Sequence, residues 1–273
     1  MIKLSVLSEN RTHGCFEGEE GLSILVEYNN RKFLFDTGRS DLFSKNARLM
    51  GVDLDDVKNV VLSHGHMDHT AGLSVLKNKN IIMHPSAFKE RWSISKKINA
   101  TCPVELDKLL TSNNVNLTMD AVQFDSQCYF LGEIPMVVDF ESKGNFATTL
   151  DSNFTQTDYT EDDSGVAIKT PNGLFILTGC GHRGICNTIE HAINVTGESK
   201  IWGVLGGLHL RKLEKHQEVI DKTIAYLKTR NVKNLFLGHC VTDEVIAYFE
   251  RNMSNVSIFK LHAGATFELD SKK

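Results

Sequence analysis

The 273-residue chain carries 30 Lys and Arg against 34 Asp and Glu, a formal net charge of -4. It lacks the broad basic footprint that gripping a nucleic-acid backbone needs, so nucleic acid is set aside as a partner. No apolar run approaches the roughly 18 residues of a membrane span, and MIKLSVLSEN has neither the apolar core nor the cleavage site of a secretion signal. A cytoplasmic protein with no membrane partner is expected.

In chain order, LSILVEYN and KFLFDTG flank Asn29-Asn30 and predict a hairpin. DLFSKNARLMGV predicts a short helix closed by Gly51, and VKNVVLSH reads as a buried strand, giving β, β, α, β. Residues 85–160 carry less pattern. A helix is expected at CPVELDKLLTSN, apolar pieces occur at YFLG and IPMVVDF, and TTLDSNFTQTDYTEDD reads as loop, either the cover of a site or a variable surface insertion. SGVAIKT and GLFILTG predict a second hairpin across Pro171-Asn172-Gly173, followed by a helix with Ile185, Ile189, Ala192 and Ile193 at helical spacing. Strand KIWGVLGG, a helix striped by Leu213, Ile220, Ile224 and Leu227, strand NLFLGH, helix DEVIAYFE and closing strands near SIFKL and ATFEL complete the chain. Two halves of strands then helices predict a layered α/β sandwich. No repeat, linker or block of like charge marks a boundary, so residues 1–273 are expected to form a single domain.

The six cysteines (15, 102, 128, 180, 186 and 240) include no CxxC pair, which argues for reduced thiols over a disulfide framework or zinc ribbon. VLSHGHMDHTAGL, by contrast, puts His64, His66, Asp68 and His69 in six positions behind a strand. Residues two apart share a side only in extended or looped backbone, and Gly65 permits a sharp exit from the strand. Thr70 is a plausible N-cap for a helix starting there. Three imidazoles and a carboxylate in one loop suit zinc, with iron or manganese as alternatives. A His-rich surface turn is the plainer alternative, and the combination of ligand types weighs against it.

HGHMDH matches the HxHxDH motif of the metallo-β-lactamase superfamily, and FLFDTG resembles the strand and turn that precede it there. EGLSILVE, FDTG, LSHGHMDHTAGL, TGCGHRGICN, LGGLHL and LGHC together resemble the subgroup of 7,8-dihydropterin-6-yl-methyl-4-(β-D-ribofuranosyl)aminobenzene 5′-phosphate synthases. The resemblance implies a four-layer αββα sandwich of metallo-β-lactamase type with one or two divalent metal ions at the edge of its sheets. It implies His239 of LGHC as the last ligand. Cys180 stands where the superfamily commonly has a bridging Asp: either a thiolate ligand or an inert buried thiol. No GHTxG occurs, only DDSG at 162–165, and His182 is expected to supply the missing imidazole. Asp36 is expected to orient the histidines without binding metal.

His209, after Gly206-Gly207, is expected to contact substrate or move a proton, with a core histidine and a metal ligand as alternatives. GCGHRGICN could hold a phosphate at a helix start with Arg183 assisting, and Lys89, Arg91, Lys96 and Lys97 either attract an anion or form solvated surface. The expected function is metal-dependent hydrolysis of a small anionic, phosphorylated substrate through a metal-bound hydroxide, Asp68 serving as ligand and proton acceptor. The alternatives are a transferase acting on a pterin diphosphate, a metal-stabilised binding protein without turnover, and, furthest back, an iron-pair oxidoreductase, which would need a flavin partner.

Overall fold

The structure, a computed structural model, describes residues 1–141 and 147–270. Its first part runs β1 (Ile2–Ser8), β2 (Ser23–Tyr28), β3 (Arg31–Phe35), α1 (Leu42–Leu49), β4 (Asn59–Val61), α2 (Met67–Thr70), β5 (Asn80–Met83), β6 (Trp92–Ser93), α3 (Leu106–Ser112) and β7 (Asn114–Leu117). There follow β8 (Val122–Asp125), β9 (Cys128–Phe130), β10 (Thr148–Thr149), β11 (Gly165–Thr170), β12 (Gly173–Thr178), α4 (Ile185–Thr196) and β13 (Ile201–Gly206). The chain closes with α5 (Leu213–Thr229), β14 (Asn234–Leu237), α6 (Asp243–Asn252), β15 (Ser257–Lys260) and β16 (Thr266–Leu269). No described helix is long and apolar enough to cross a membrane.

These elements cluster into two compact units, residues 1–119, 147–162 and 262–270 in the first and 120–141 and 163–261 in the second. The first unit holds a seven-stranded sheet ordered β16-β1-β2-β3-β4-β5-β7. Its strands run antiparallel from β16 to β3 and parallel from β3 to β7. Phe43 and Ala47 of α1 pack with Leu7, Leu25, Leu34, Val60 and Ile81 in its core. The β2–β3 turn puts Asn29 and Asn30 at φ 49° and 61°, a conformation that Asn tolerates and that matches the strands' twist.

The second unit repeats the arrangement, ordered β15-β14-β13-β12-β11-β9-β8, parallel from β15 to β12 and antiparallel beyond. Ile185, Ile189 and Ala192 of α4, Ile220, Ile224 and Leu227 of α5, and Val245, Ile246 and Phe249 of α6 form its core with Ile176, Val204 and Leu235. Full burial of an Ile or Phe side chain contributes about 1.5–3 kcal/mol, so these helical stripes supply much of the unit's stability. Gly197, at φ 70°, ends α4 in the left-handed conformation.

Within each sheet the parallel strands end at the same edge of that sheet, where open α/β sheets bind ligands. Asp36 and His64 follow β3 and β4; Cys180, His209 and His239 follow β12, β13 and β14. Two strands went unread, β1 in MIKLSVLSEN and β5 in NIIM, and the helix expected over CPVELDKLLTSN covers only Leu106–Ser112, with Glu105 extended before it and Leu109 as its one buried residue.

Candidate metal centre

In the first unit the chain leaves β4 through Ser63 and His64 and turns at Gly65, where an added Cβ would lie 2.0 Å from the Ala87 carbonyl oxygen. His66 takes the N-cap position of α2, and Asp68 and His69 lie in its single turn. Thr70, expected as the cap, is the last residue of α2, and its hydroxyl donates to the His66 carbonyl oxygen at 3.0 Å. The helix starts earlier than expected because Gly65 lets the chain turn straight from the strand into it.

The hydrogen bonds decide which ring nitrogen of each histidine carries a proton, because a carboxylate only accepts. Ser63 Oγ donates to Asp36 Oδ2 at 2.7 Å, so it accepts from His64 Nδ1 at 2.9 Å. His69 Nδ1 donates to the same Asp36 oxygen at 2.7 Å. Thr148 Oγ1 donates to Asp158 Oδ2 at 2.8 Å and therefore accepts from His66 Nε2 at 3.1 Å. In neutral rings the lone pairs then sit on His64 Nε2, His66 Nδ1 and His69 Nε2. The first two face each other at 3.0 Å, the His64 and His69 rings lie 4.3 Å apart, and Asp68 Oδ2 is 3.9 Å from His69 Nε2. Two lone pairs that close repel, and a shared proton or a bound cation would relieve the contact. Neutral imidazoles with an adjoining carboxylate are the donor set of a divalent metal, so these residues fit one.

Arg91 departs from the sequence reading. Grouped there with Lys89, Lys96 and Lys97, it is 0 % exposed, with Nε donating to Asp158 Oδ2 at 2.7 Å and Nη2 to Asp162 Oδ1 at 2.6 Å. Burial alone would raise the Asp158 pKa. Arg91, the Thr148 hydroxyl and the Thr160 amide outweigh it and hold this carboxyl below its ordinary value. Lys89 and Lys96 pair with Glu161 and Glu20, and Lys97 lies over the Phe154 ring, so the expected anion-attracting cluster is a set of separate pairs.

In the second unit Cys180, His239 and Cys240 bring their ligand atoms within 4.8 Å of one another, and Cys180 Sγ lies 3.2 Å from His239 Nε2. His182 stands beside His209, ring centroids 4.5 Å apart. Burial, then the neighbouring His182, hold the His209 pKa well below that of an ordinary histidine, so its ring is neutral at pH 7. Gly206 and Gly207 serve packing. Added Cβ atoms would lie 1.8 Å from the Thr178 carbonyl oxygen and 2.4 Å from Cys240 Sγ, so close packing within this chain requires both glycines.

The phosphate site expected at GCGHRGICN is filled from within. Glu141 accepts the Cys186 and Asn187 amides at 3.1 and 2.9 Å, and Arg183 donates through its amide to Asp163 at 2.8 Å and through Nε to the Ile134 carbonyl oxygen at 2.9 Å. A cavity of ≈ 170 Å³ opens beside His182 and Glu141, walled by Phe140, Leu208, Leu210 and Val219. Ser63, Thr148, Asp158, Asp162 and Cys240 escaped the sequence reading. All five lay inside segments already singled out, Ser63 in VLSHGHMDHTAGL, Thr148 and Asp158 in TTLDSNFTQTDYTEDD, Asp162 in DDSG and Cys240 in LGHC, but nothing local gave their side chains a role.

Residues 17–85 match the model of the metallo-beta-lactamase superfamily. The chain is 30 % identical over 284 residues to the 7,8-dihydropterin-6-methyl-4-(beta-D-ribofuranosyl)-aminobenzene-5′-phosphate synthase of Methanocaldococcus jannaschii, spanning 96 % of this chain and 95 % of that one. It belongs to the metallo-β-lactamase superfamily. Its fold is that of other superfamily members: the crystal structure of Tm1679, a metal-dependent hydrolase of the β-lactamase superfamily, superposes with a TM-score of 0.85 at 28 % identity over 99 % of this chain and 100 % of that one. A diphosphatase of the PhnP family shares the fold at a TM-score of 0.53 and 14 % identity, over 99 % and 98 % of the two chains. The HxHxDH motif falls within the matched residues, at His64, His66, Asp68 and His69.

Proposed function

We propose that this chain is a metal-dependent enzyme that hydrolyses a small anionic, phosphorylated substrate. The observation that carries this reading is the convergence of ring nitrogens, His64 Nε2 and His66 Nδ1 3.0 Å apart, beside His69 and Asp68. His64, His66, Asp68 and His69 are the ligands proposed in the first unit, and Cys180, His182 and His239 those in the second, with zinc as the first metal to test. A divalent cation held there supplies Lewis acidity and lowers the pKa of water towards neutrality. Asp68, 18 % exposed at its side chain, is the proposed proton acceptor. His209, neutral and buried, is the proposed substrate contact, and the apolar wall of the neighbouring cavity suits a flat ring.

A transferase reading is supported by the similarity to the pterin-named synthase over nearly the full length of both chains. Zinc-loaded protein assayed against phosphodiesters, phosphomonoesters and a pterin diphosphate with an aminobenzene acceptor separates the two. Phosphate release from esters is expected; coupling without ester hydrolysis would replace the hydrolase reading with the transferase. Replacement of His66 by Ala should abolish either activity and lower zinc content, measured by elemental analysis.

A further inference from the structure

We infer that Arg91 is a positioning residue of the metal centre, holding His66 with Nδ1 turned to the metal and fixing the backbone before it. The inference rests on the metal-binding role proposed for His66. One guanidinium serves both contacts. Through Nε it fixes Asp158, whose Oδ2 takes the Thr148 proton, which leaves Thr148 Oγ1 able only to accept from His66 Nε2. Through Nη2 it fixes Asp162, whose Oδ2 accepts the Gly65 amide at 2.7 Å. Its Nη1 donates to the carbonyl oxygen of Ala87 at 3.3 Å, the atom against which Gly65 is packed.

Each link is specific in direction. Arg only donates and carboxylates only accept, so the sense of every bond from Arg91 to the ring is set and the Nε2–H tautomer of His66 follows. The other tautomer would place a proton on Nδ1, facing His64 Nε2 at 3.0 Å, and no lone pair of His66 would be directed at a metal. Arg91, acting through Asp158 and through Thr148, 82 positions from His66, thus decides the ligand chemistry of one histidine. A buried Arg with two carboxylates is rarely needed for stability alone, since apolar residues of like volume often stabilise as well.

The test uses the full chain. Thr148→Val keeps the side-chain shape and removes the acceptor; Thr148→Ser keeps the acceptor. Zinc affinity, measured by competition with a chromogenic chelator, is expected to fall roughly 10–100-fold in Thr148→Val, as it does when partners that orient a ligand are lost, and to stay near wild type in Thr148→Ser. Arg91→Met, if it folds, should match Thr148→Val. In 15N-labelled protein the His66 ring is expected to show protonated Nε2 in wild type and to lose that preference in Thr148→Val. Wild-type zinc affinity in Thr148→Val with His66 still protonated at Nε2, or an equal loss in Thr148→Ser, overturns the inference. His66→Ala separates the readings: lost zinc there with zinc retained in Thr148→Val sinks the positioning role alone, whereas zinc retained in His66→Ala sinks the metal role and the inference with it.

Discussion

A left-handed backbone conformation is uncommon for a residue with a Cβ, yet Asp36, His209 and His239 adopt it at φ 57°, 50° and 53°. Each follows a strand of a parallel ladder, and such conformations, costing about 1–3 kcal/mol, gather where side chains are aimed for function. Asp36 shows what the conformation achieves: its two oxygens take the Ser63 amide, the Ser63 hydroxyl and His69 Nδ1, so one buried carboxylate sets the protonation of two rings. An amide cannot accept at both oxygens, so Asp36→Asn should weaken zinc binding roughly 10–100-fold with little change of fold; equal affinity in chelator competition would show that the rings orient themselves. Cysteines give a second check. Cys15 is exposed, whereas burial raises the Cys102 pKa, pushes Cys128 up to about 12 and lifts Cys186 further. The thiolate is the nucleophile, so iodoacetamide at pH 8 should label Cys15 and spare Cys102, Cys128 and Cys186 until urea is added, as read by peptide mass spectrometry.

Among the elements, α4 shows how an internal group can take the place of a ligand. Its first turn presents the amides of Cys186 and Asn187, and Glu141 accepts both from a short 3-10 turn, Asp139–Glu141, more than 40 residues upstream. An added Cβ at Gly184, φ 90°, would lie 2.2 Å from Glu141 Oε2. Glu141→Ala should therefore lower stability by about 0.5–2 kcal/mol, the worth of a helix cap, in urea unfolding; an unchanged midpoint would mean that solvent serves those amides equally well. Elements with local signals were legible in the sequence. Asn29-Asn30 marks a hairpin by its tolerance of positive φ, and the spacing of Ile185, Ile189 and Ala192 marks α4 by its buried stripe. β1 went unread because its alternation of Ile2, Leu4 and Val6 with Lys3 and Ser5 is short and is broken by Leu7, where the register with β2 shifts. The capping of α4 by Glu141 had no local signal at all.

The whole molecule explains which part of the site the sequence could show. His64, His66, Asp68 and His69 were legible as candidates because they fall within six positions, and His239 because it follows a strand; Arg91, Thr148, Asp158 and Asp162 were not, because their meaning arises only when residues 147–162 pack against residues 1–119 within the first unit. Composition made Arg91 look like surface, and only the two carboxylates it meets allow it to be buried. That tether should appear in the pH dependence of stability. In the native chain Asp158 is held below the ordinary carboxyl value near 3.9, so its contribution is present above about pH 4 and is lost as pH falls through the lowered pKa. Arg91→Met strips the carboxylate of its cation and leaves it buried, which should cost about 3–5 kcal/mol at pH 7. Desolvation then raises the Asp158 pKa above its unfolded value, and the sign reverses: the folded variant takes up the proton first and recovers stability as pH falls from 7 towards 5. Urea midpoints of the metal-free proteins, compared at each pH so that the other carboxyl groups cancel, should therefore converge on acidification. Curves that stay parallel would show that Arg91 does not hold Asp158 ionised.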